Sequence, residues 1–378
     1  MNSKTDIEKT LSPLAEAMKD KKKIREPYVL CLGEGATLSS GCRFMRMAVR
    51  ETIARECPWV LDDVLADLGR LQRCGEDSDK FKSLLKTLKE DEWYVPLLKE
   101  FFNLLDHRKG QDRLQLLNNF LSEEYPSTGY NFLALLAREG FFELIFNANY
   151  DPLLQRALDT YLPNKDPKGV PLQPYLRLIN RADPSVKTQI KEAFDSPTPT
   201  IKVLWLHGFL WEMSGIAFTP REKRDWYPNV KDVVEKYFGK DLLLIGYTDR
   251  DDDILKAVQN AQGNGTIWYV ASDRPDVYMA NALLPRNPEI ISDQAGDFDT
   301  FCQVLFDLAL DLIDPKQVKK DDTRVKLLRE KLGILQNYVS TMERRQNDDP
   351  MAPPALQEQK EALQQEVKAI EETLRTLQ

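Results

Sequence analysis

Five short apolar runs punctuate the chain: YVLCLG at 28–33, FELIFNANYD at 142–151, IKVLWLHG at 201–208, LLLIGY at 242–247 and TIWYVAS at 266–272. Each is rich in Val, Ile, Leu and aromatic residues and nearly apolar on both faces. That pattern predicts strands of a parallel sheet covered by helices on either side. Helical spacing lies between the runs, as over 251–260 after the fourth. Alternating strands and helices predict an α/β fold with a Rossmann-like parallel sheet. Ahead of the first run, Ile7, Leu11, Leu14 and Met18 predict a helix within residues 1–26.

The polar-amphipathic stretch from 43 to 140 separates the first two runs and is too long for one crossover helix. Segments such as YVPLLKEFFNLLDH and NFLALLAREG predict a helical insert, capping the carboxyl edge of the sheet, within a domain spanning 27–314. Residues 161–200 are broken by repeated prolines and predict an irregular connection. The tail, 315–378, has a different pattern. Val325, Leu328, Leu332, Leu335, Val339 and Met342 are spaced three and four apart, as are Leu363, Val367, Ile370, Leu374 and Leu377. The prolines of QNDDPMAPPA between them permit a reversal, so an antiparallel helical hairpin with a coiled-coil-like seam is predicted. It either folds on its own body or serves oligomerisation. The expected partner is a second copy or another protein.

Composition narrows the class. The 378 residues are 42 % hydrophobic and 30 % charged, as in a globular protein of two or three domains. Fifty-two basic against 60 acidic residues leave a net charge of −8, which argues against a nucleic-acid coat or a membrane-surface protein. No segment approaches the ~20 apolar residues of a membrane span, and the first 27 residues lack the apolar core of a signal peptide. A cytoplasmic location is the expectation. The five cysteines, Cys31, Cys42, Cys57, Cys74 and Cys302, form no CxxC pair, so neither a disulfide framework nor a metal site is expected.

Candidate chemistry gathers where the strands end. The first runs into GEGATLSSG at 33–41, whose glycines permit close approach to a pyrophosphate or simply make a tight turn. Of the two histidines, His107 sits among charges at a helix end, whereas His207 ends an apolar strand, where open α/β sheets bind ligands. It is the best available base near neutrality, or else a buried histidine bonded to a neighbouring loop. Asn147, Asn149 and Asp151 follow the second strand and either cap the next helix or line a site. In GYTDRDDDI at 246–254, Asp251 reads as an N-cap, with Asp252 and Asp253 as solvated first-turn acids.

Taken in order, Gly33-Glu34-Gly35-Ala36-Thr37, Ser40-Gly41, Asn149-Tyr150-Asp151, His207-Gly208 and Gly246-Tyr247-Thr248 resemble the sirtuin-type NAD-binding domain. The resemblance is closer to the bacterial sirtuin-like NAD hydrolases of antiphage defence, and AFTPREKRDWYP at 217–228 is similar to a Thr-acid-Tyr segment of that group. It covers 27–41 and 142–314. Glu34 departs from the usual small residue, Thr37 replaces a serine, and Asn147-Ala148 replaces a hydroxyl pair. GCRFMR at 41–46 keeps the terminal arginine of the deacylase motif but loses its proline. The four zinc cysteines of the deacylases are absent, which counts against deacylation.

The resemblance implies NAD as substrate, with cleavage of the nicotinamide–ribose bond. His207 would then be the general base or orient the ribose hydroxyls, Asn149 would bind the nicotinamide ribose or water, and Asp151 would hold that loop. Gly33, Gly35, Ala36 and Thr37 would cradle the phosphates, with Ser40 and Arg46 continuing that side. Gly246, Tyr247 and Thr248 would close the other side, and Ser272 or Asp273 would reach the adenosine ribose. A non-catalytic NAD or ADP-ribose sensor, and a scaffold for the hairpin, are the competing readings. One outcome follows from the cysteines alone: elemental analysis should find no stoichiometric zinc, and one zinc per chain would reopen deacylation.

Overall fold

A computed structural model describes residues 4–38, 53, 55–57, 59, 90–108, 125–163, 173–180, 184–196, 201–209, 216–217, 219–247, 252–311, 323–348 and 354–377. The strands are β1 (Tyr28–Leu32), β2 (Phe142–Asn147), β3 (Tyr175–Ile179), β4 (Ile201–Trp205), β5 (Leu242–Ile245), β6 (Ile267–Val270) and β7 (Glu289–Ile291). The first helices are α1 (Lys4–Lys23), α2 (Glu34–Leu38), α3 (Glu90–His107), α4 (Thr128–Arg138), α5 (Leu153–Tyr161) and α6 (Pro184–Asp195). There follow α7 (Pro220–Trp226), α8 (Lys231–Phe238), α9 (Asp252–Asn260), α10 (Val277–Leu283), α11 (Phe298–Asp311), α12 (Thr323–Asp348) and α13 (Pro354–Leu377).

The strands form one seven-stranded sheet in the order β3-β4-β2-β1-β5-β6-β7, with every neighbouring pair parallel. This is the Rossmann-like α/β fold expected. Alternate residues of each strand face opposite sides of the sheet. Val29, Cys31, Leu242, Leu244, Ile267 and Tyr269 join one apolar core with side chains of α6, α8, α9 and α10. Leu30 and Leu32, pointing the other way, are fully buried as well, so the sheet is covered on both faces.

Two strands lie outside the five apolar runs. The connection expected to be irregular, 161–200, contains β3 and α6. As an edge strand, β3 exposes Arg177 between Tyr175 and Ile179 and so lacks a continuous apolar run. At three residues, two of them exposed, β7 is too short for a pattern to show.

The chain divides into two compact units. One comprises residues 1–40, 125–216 and 226–378; the other comprises 41–124 and 217–225. The insert therefore ends at 124 rather than 140. Helix α4 belongs with the sheet because Phe132–Ala137 are all buried, leaving no solvated face. The N-terminal helix and the C-terminal hairpin also belong to the sheet's unit instead of standing as separate regions. Ile7, Leu11, Leu14 and Met18 of α1 are buried as their spacing implied, and α1 packs on α11.

The hairpin of α12 and α13 folds on its own body. Lys331 is 5 % exposed, its Nζ 2.5 Å from Asp307 of α11 and 2.8 Å from Glu366 of α13. Arg138 of α4 donates both guanidinium arms to Glu330, at 2.8 and 2.7 Å. The apolar seam is shifted from the expected row. Leu327, Ile334, Leu335 and Met342 are buried, while Val325, Leu328, Leu332 and Val339 are half-buried.

In the other unit, Leu97, Phe101 and Leu105 form the buried stripe of α3, and Arg108 pairs with Glu56 at 2.6 Å. Thr219 and Glu222 make a reciprocal capping box at the start of α7: the Thr219 amide donates to Glu222 at 3.0 Å, and the Glu222 amide to Thr219 Oγ1 at 3.4 Å. The pairing of threonine and acid in that segment thus initiates a helix, and Thr219 Oγ1 also donates to Asp106 Oδ1 at 3.3 Å.

Asp299, in the first turn of α11, accepts the Gly129 amide at 2.7 Å and so tethers the start of α4. Burial pushes its carboxyl pKa up to about 7, against the lowering effect of the Ser127 hydroxyl and the Gly129 amide. The native state thus binds this proton more tightly than the unfolded chain does. Its contribution to stability is full below the ordinary carboxyl range and is lost as pH rises toward and through 7. The stability advantage of wild type over Asp299→Asn should shrink between about pH 4 and pH 7 in urea titrations. A difference independent of pH would contradict this.

Candidate functional site

The carboxyl ends of four adjacent strands, β4, β2, β1 and β5, carry most of the residues singled out by sequence. After β1 the chain builds on one side through β2 to the edge strand β3 and back to β4 between them; after β4 it crosses to the other side with β5. The order reverses between β1 and β5, and such a switch point is where open α/β sheets form their ligand crevice.

Glycines make that junction possible. The Gly35 amide donates to Gly246 O at 2.6 Å, and Gly33 donates to Ile245 O at 2.9 Å. A Cβ on Gly35 would lie 2.8 Å from Gly246 Cα, and one on Gly246 would lie 2.5 Å from the Ala36 nitrogen. Gly246 also has φ of +65°, which other residues rarely adopt. The Ala36 amide donates to Gly33 O at 3.1 Å. The amides of Gly33, Gly35 and Ala36, expected as phosphate donors, are therefore bonded within the protein. What the glycines supply is close approach of two strand ends.

Around this junction lies a buried polar cluster. Asn149 donates its side-chain amide to Gly33 O at 2.9 Å and lies 3.4 Å from the Tyr130 hydroxyl. Thr37 donates to Asp151 Oδ2 at 2.7 Å and is 3.3 Å from the same tyrosine hydroxyl. Asp151 Oδ1 accepts the Leu153 amide at 2.9 Å, so Asp151 caps α5 and joins the cluster at once. Its burial drives the carboxyl pKa upward, opposed by the Thr37 hydroxyl and the Leu153 amide.

His207, 1 % exposed, closes the β4 side. Its Nδ1 lies 3.2 Å from Ala148 O and its Nε2 2.9 Å from Asp253 Oδ2. The Tyr150 ring sits 6.0 Å away, and Gly208 turns the chain with φ of +87°. Asp253 is not the solvated acid expected. Its side chain is 10 % exposed and faces the histidine. The clue lay in helix periodicity: Ile254, Ala257 and Val258 mark the buried face of α9, and residue 253 lies one turn before 257 on that face. Tyr130, the other residue missed, had no local signal, since it sits in a stretch read as insert.

Not every expected residue joins the cluster. Ser272 and Asp273 are exposed beyond β6, where the Ser272 carbonyl accepts the Asp293 amide at 3.0 Å. Tyr247 is buried and uses its carbonyl to accept the Tyr269 hydroxyl at 2.6 Å. Ser40, Arg46, Thr248 and the Asp251 cap lie outside the described residues. His107 is exposed at the end of α3, with Nδ1 2.6 Å from Asn103 O. Among the described residues, no three His, Cys, Asp or Glu side chains gather as a metal site.

The Thr37–Asp151 bond gives a direct test. Thr37→Val leaves a buried carboxyl with one fewer donor and should cost about 1–3 kcal/mol in urea unfolding, whereas Thr37→Ser should restore most of it. Equal stability of the two variants would contradict the arrangement.

No known family model matches the chain, and no curated protein is similar to it in sequence.

Proposed function

We propose that the protein is an NAD hydrolase, releasing nicotinamide and ADP-ribose. The observation that carries this reading is the convergence of Asn149, Asp151, Thr37 and Tyr130 beside the β1/β5 switch point, the crevice position of a dinucleotide in this sheet class, with His207 at the end of β4 held between Ala148 and Asp253. The order of motifs resembling sirtuin-like NAD hydrolases supports it.

In the proposed reaction the ribose C1′–nitrogen bond breaks and its electron pair neutralises the nicotinamide ring. A water oxygen bonds to C1′ and passes its proton to a second water. The demand on the protein is to stabilise an oxocarbenium-like ribose and to place the water, as in glycoside hydrolysis. Asn149, bonded to the Gly33 carbonyl, is held rigidly enough to position a ribose hydroxyl or the water. Asp151 and Thr37 lock the loop that carries it. A regulated role as an effector of antiphage defence rests on the resemblance alone. Arg138 and Glu330 supply a route for control, since they join the hairpin to the helix bearing Tyr130.

A second reading, a non-catalytic NAD or ADP-ribose sensor, is favoured by one observation: His207 is buried with acceptors at both ring nitrogens. A fluorescent NAD analogue separates the two. The hydrolase reading expects turnover by the full-length protein, and a loss of ~10²–10⁴-fold in His207→Ala and Asn149→Ala with both variants folded. Saturable binding without cleavage, with or without candidate partner proteins, would replace it with the sensor.

A further inference from the structure

Acceptors face both nitrogens of the His207 ring, and that constrains its protons. Ala148 O, 3.2 Å from Nδ1, can only accept, and the Asp253 carboxylate, 2.9 Å from Nε2, accepts as well. Two acceptors do not hold the shorter distance in a buried site, so a proton lies between Nε2 and Oδ2. The Tyr150 ring packs beside the imidazole, and Tyr227 lies close enough to feel the Asp253 charge.

We propose that Asp253 is the positioning residue of this site, holding the His207 ring through a shared Nε2–Oδ2 proton so that the histidine acts as half of a carboxylate–imidazole pair. The inference rests on the hydrolase reading for its role in turnover, but the pair itself does not. A lone His207 acting as base would need Nε2 free, and here it is occupied. Asp253 fixes the ring plane of His207. Helix α9 is thereby a site element, although Asp253 reads from sequence as a solvated first-turn acid.

The test uses the full-length protein with 15N-labelled histidine. With only two histidines in the chain, His107→Gln assigns the spectrum. Wild type should show an exchange-protected Nε2–H on His207. Asp253→Asn should lose it, because an asparagine amide can donate to a neutral Nε2. In NAD cleavage, Asp253→Asn should lower kcat about ten- to a hundredfold with KM changed less than about threefold, and Asp253→Glu should recover part of the rate. A wild-type His207 without an Nε2 proton overturns the pair, and an unchanged kcat in Asp253→Asn overturns its role in turnover. A protected Nε2–H in a wild type that cleaves no NAD sustains the pair and overturns only the hydrolase reading.

Discussion

The backbone contact between the ends of β1 and β5 sets the geometry of the rest of the molecule. Gly35 donates to Gly246 O at 2.6 Å, and any side chain at either residue would strike the opposing backbone. Parallel strands on opposite sides of a switch point ordinarily diverge and leave a crevice. Here the glycines narrow its floor to van der Waals contact. The first turn of α2 begins there, placing Thr37 within reach of Asp151 on the neighbouring strand end, and the Gly33 carbonyl toward Asn149. Three strand ends are thus tied by direct bonds.

Polar groups at such depth have a cost unless each finds a partner. The cluster meets that requirement by reciprocal use of short side chains: Thr37 serves Asp151, Asp151 serves the α5 terminus, and Asn149 serves the Gly33 carbonyl. A satisfied network of this kind selects one arrangement of loops over alternatives that leave donors bare. Asp299 does the same at the start of α4, where its carboxyl carries a raised pKa because the surrounding helices exclude water.

Helix α4 is the strut joining these features. Asp299 holds its N-terminal end, Tyr130 reaches the cluster from its first turn, and Arg138 grips Glu330 of the hairpin from its last. Eleven residues therefore connect the C-terminal hairpin to the strand ends through a single rigid element. The Lys331 pairing with Asp307 and Glu366 fixes the hairpin on that side, because separating a buried charge from its partners costs far more than the pair contributes.

Strands buried on both faces announce themselves as continuous apolar runs, and so β1, β2, β4, β5 and β6 were legible from residue order alone. The same holds for α1, for the paired helices of the tail, and for Asn149, Asp151 and His207, whose polarity stands out at the end of apolar runs. Half-exposed β3 and three-residue β7 carried no such contrast, and α4 was hidden because an all-apolar helix reads alike in an insert or a core. The role of Tyr130, the pairing of Asp253 with His207 and the bonding of the glycine amides were decided by tertiary structure only. Tyr130 lies 93 residues from Thr37, and Asp253 lies 46 from His207. Local pattern reports which face of an element is buried. Which partner meets that face depends on strand order, and strand order is set by packing of the whole sheet.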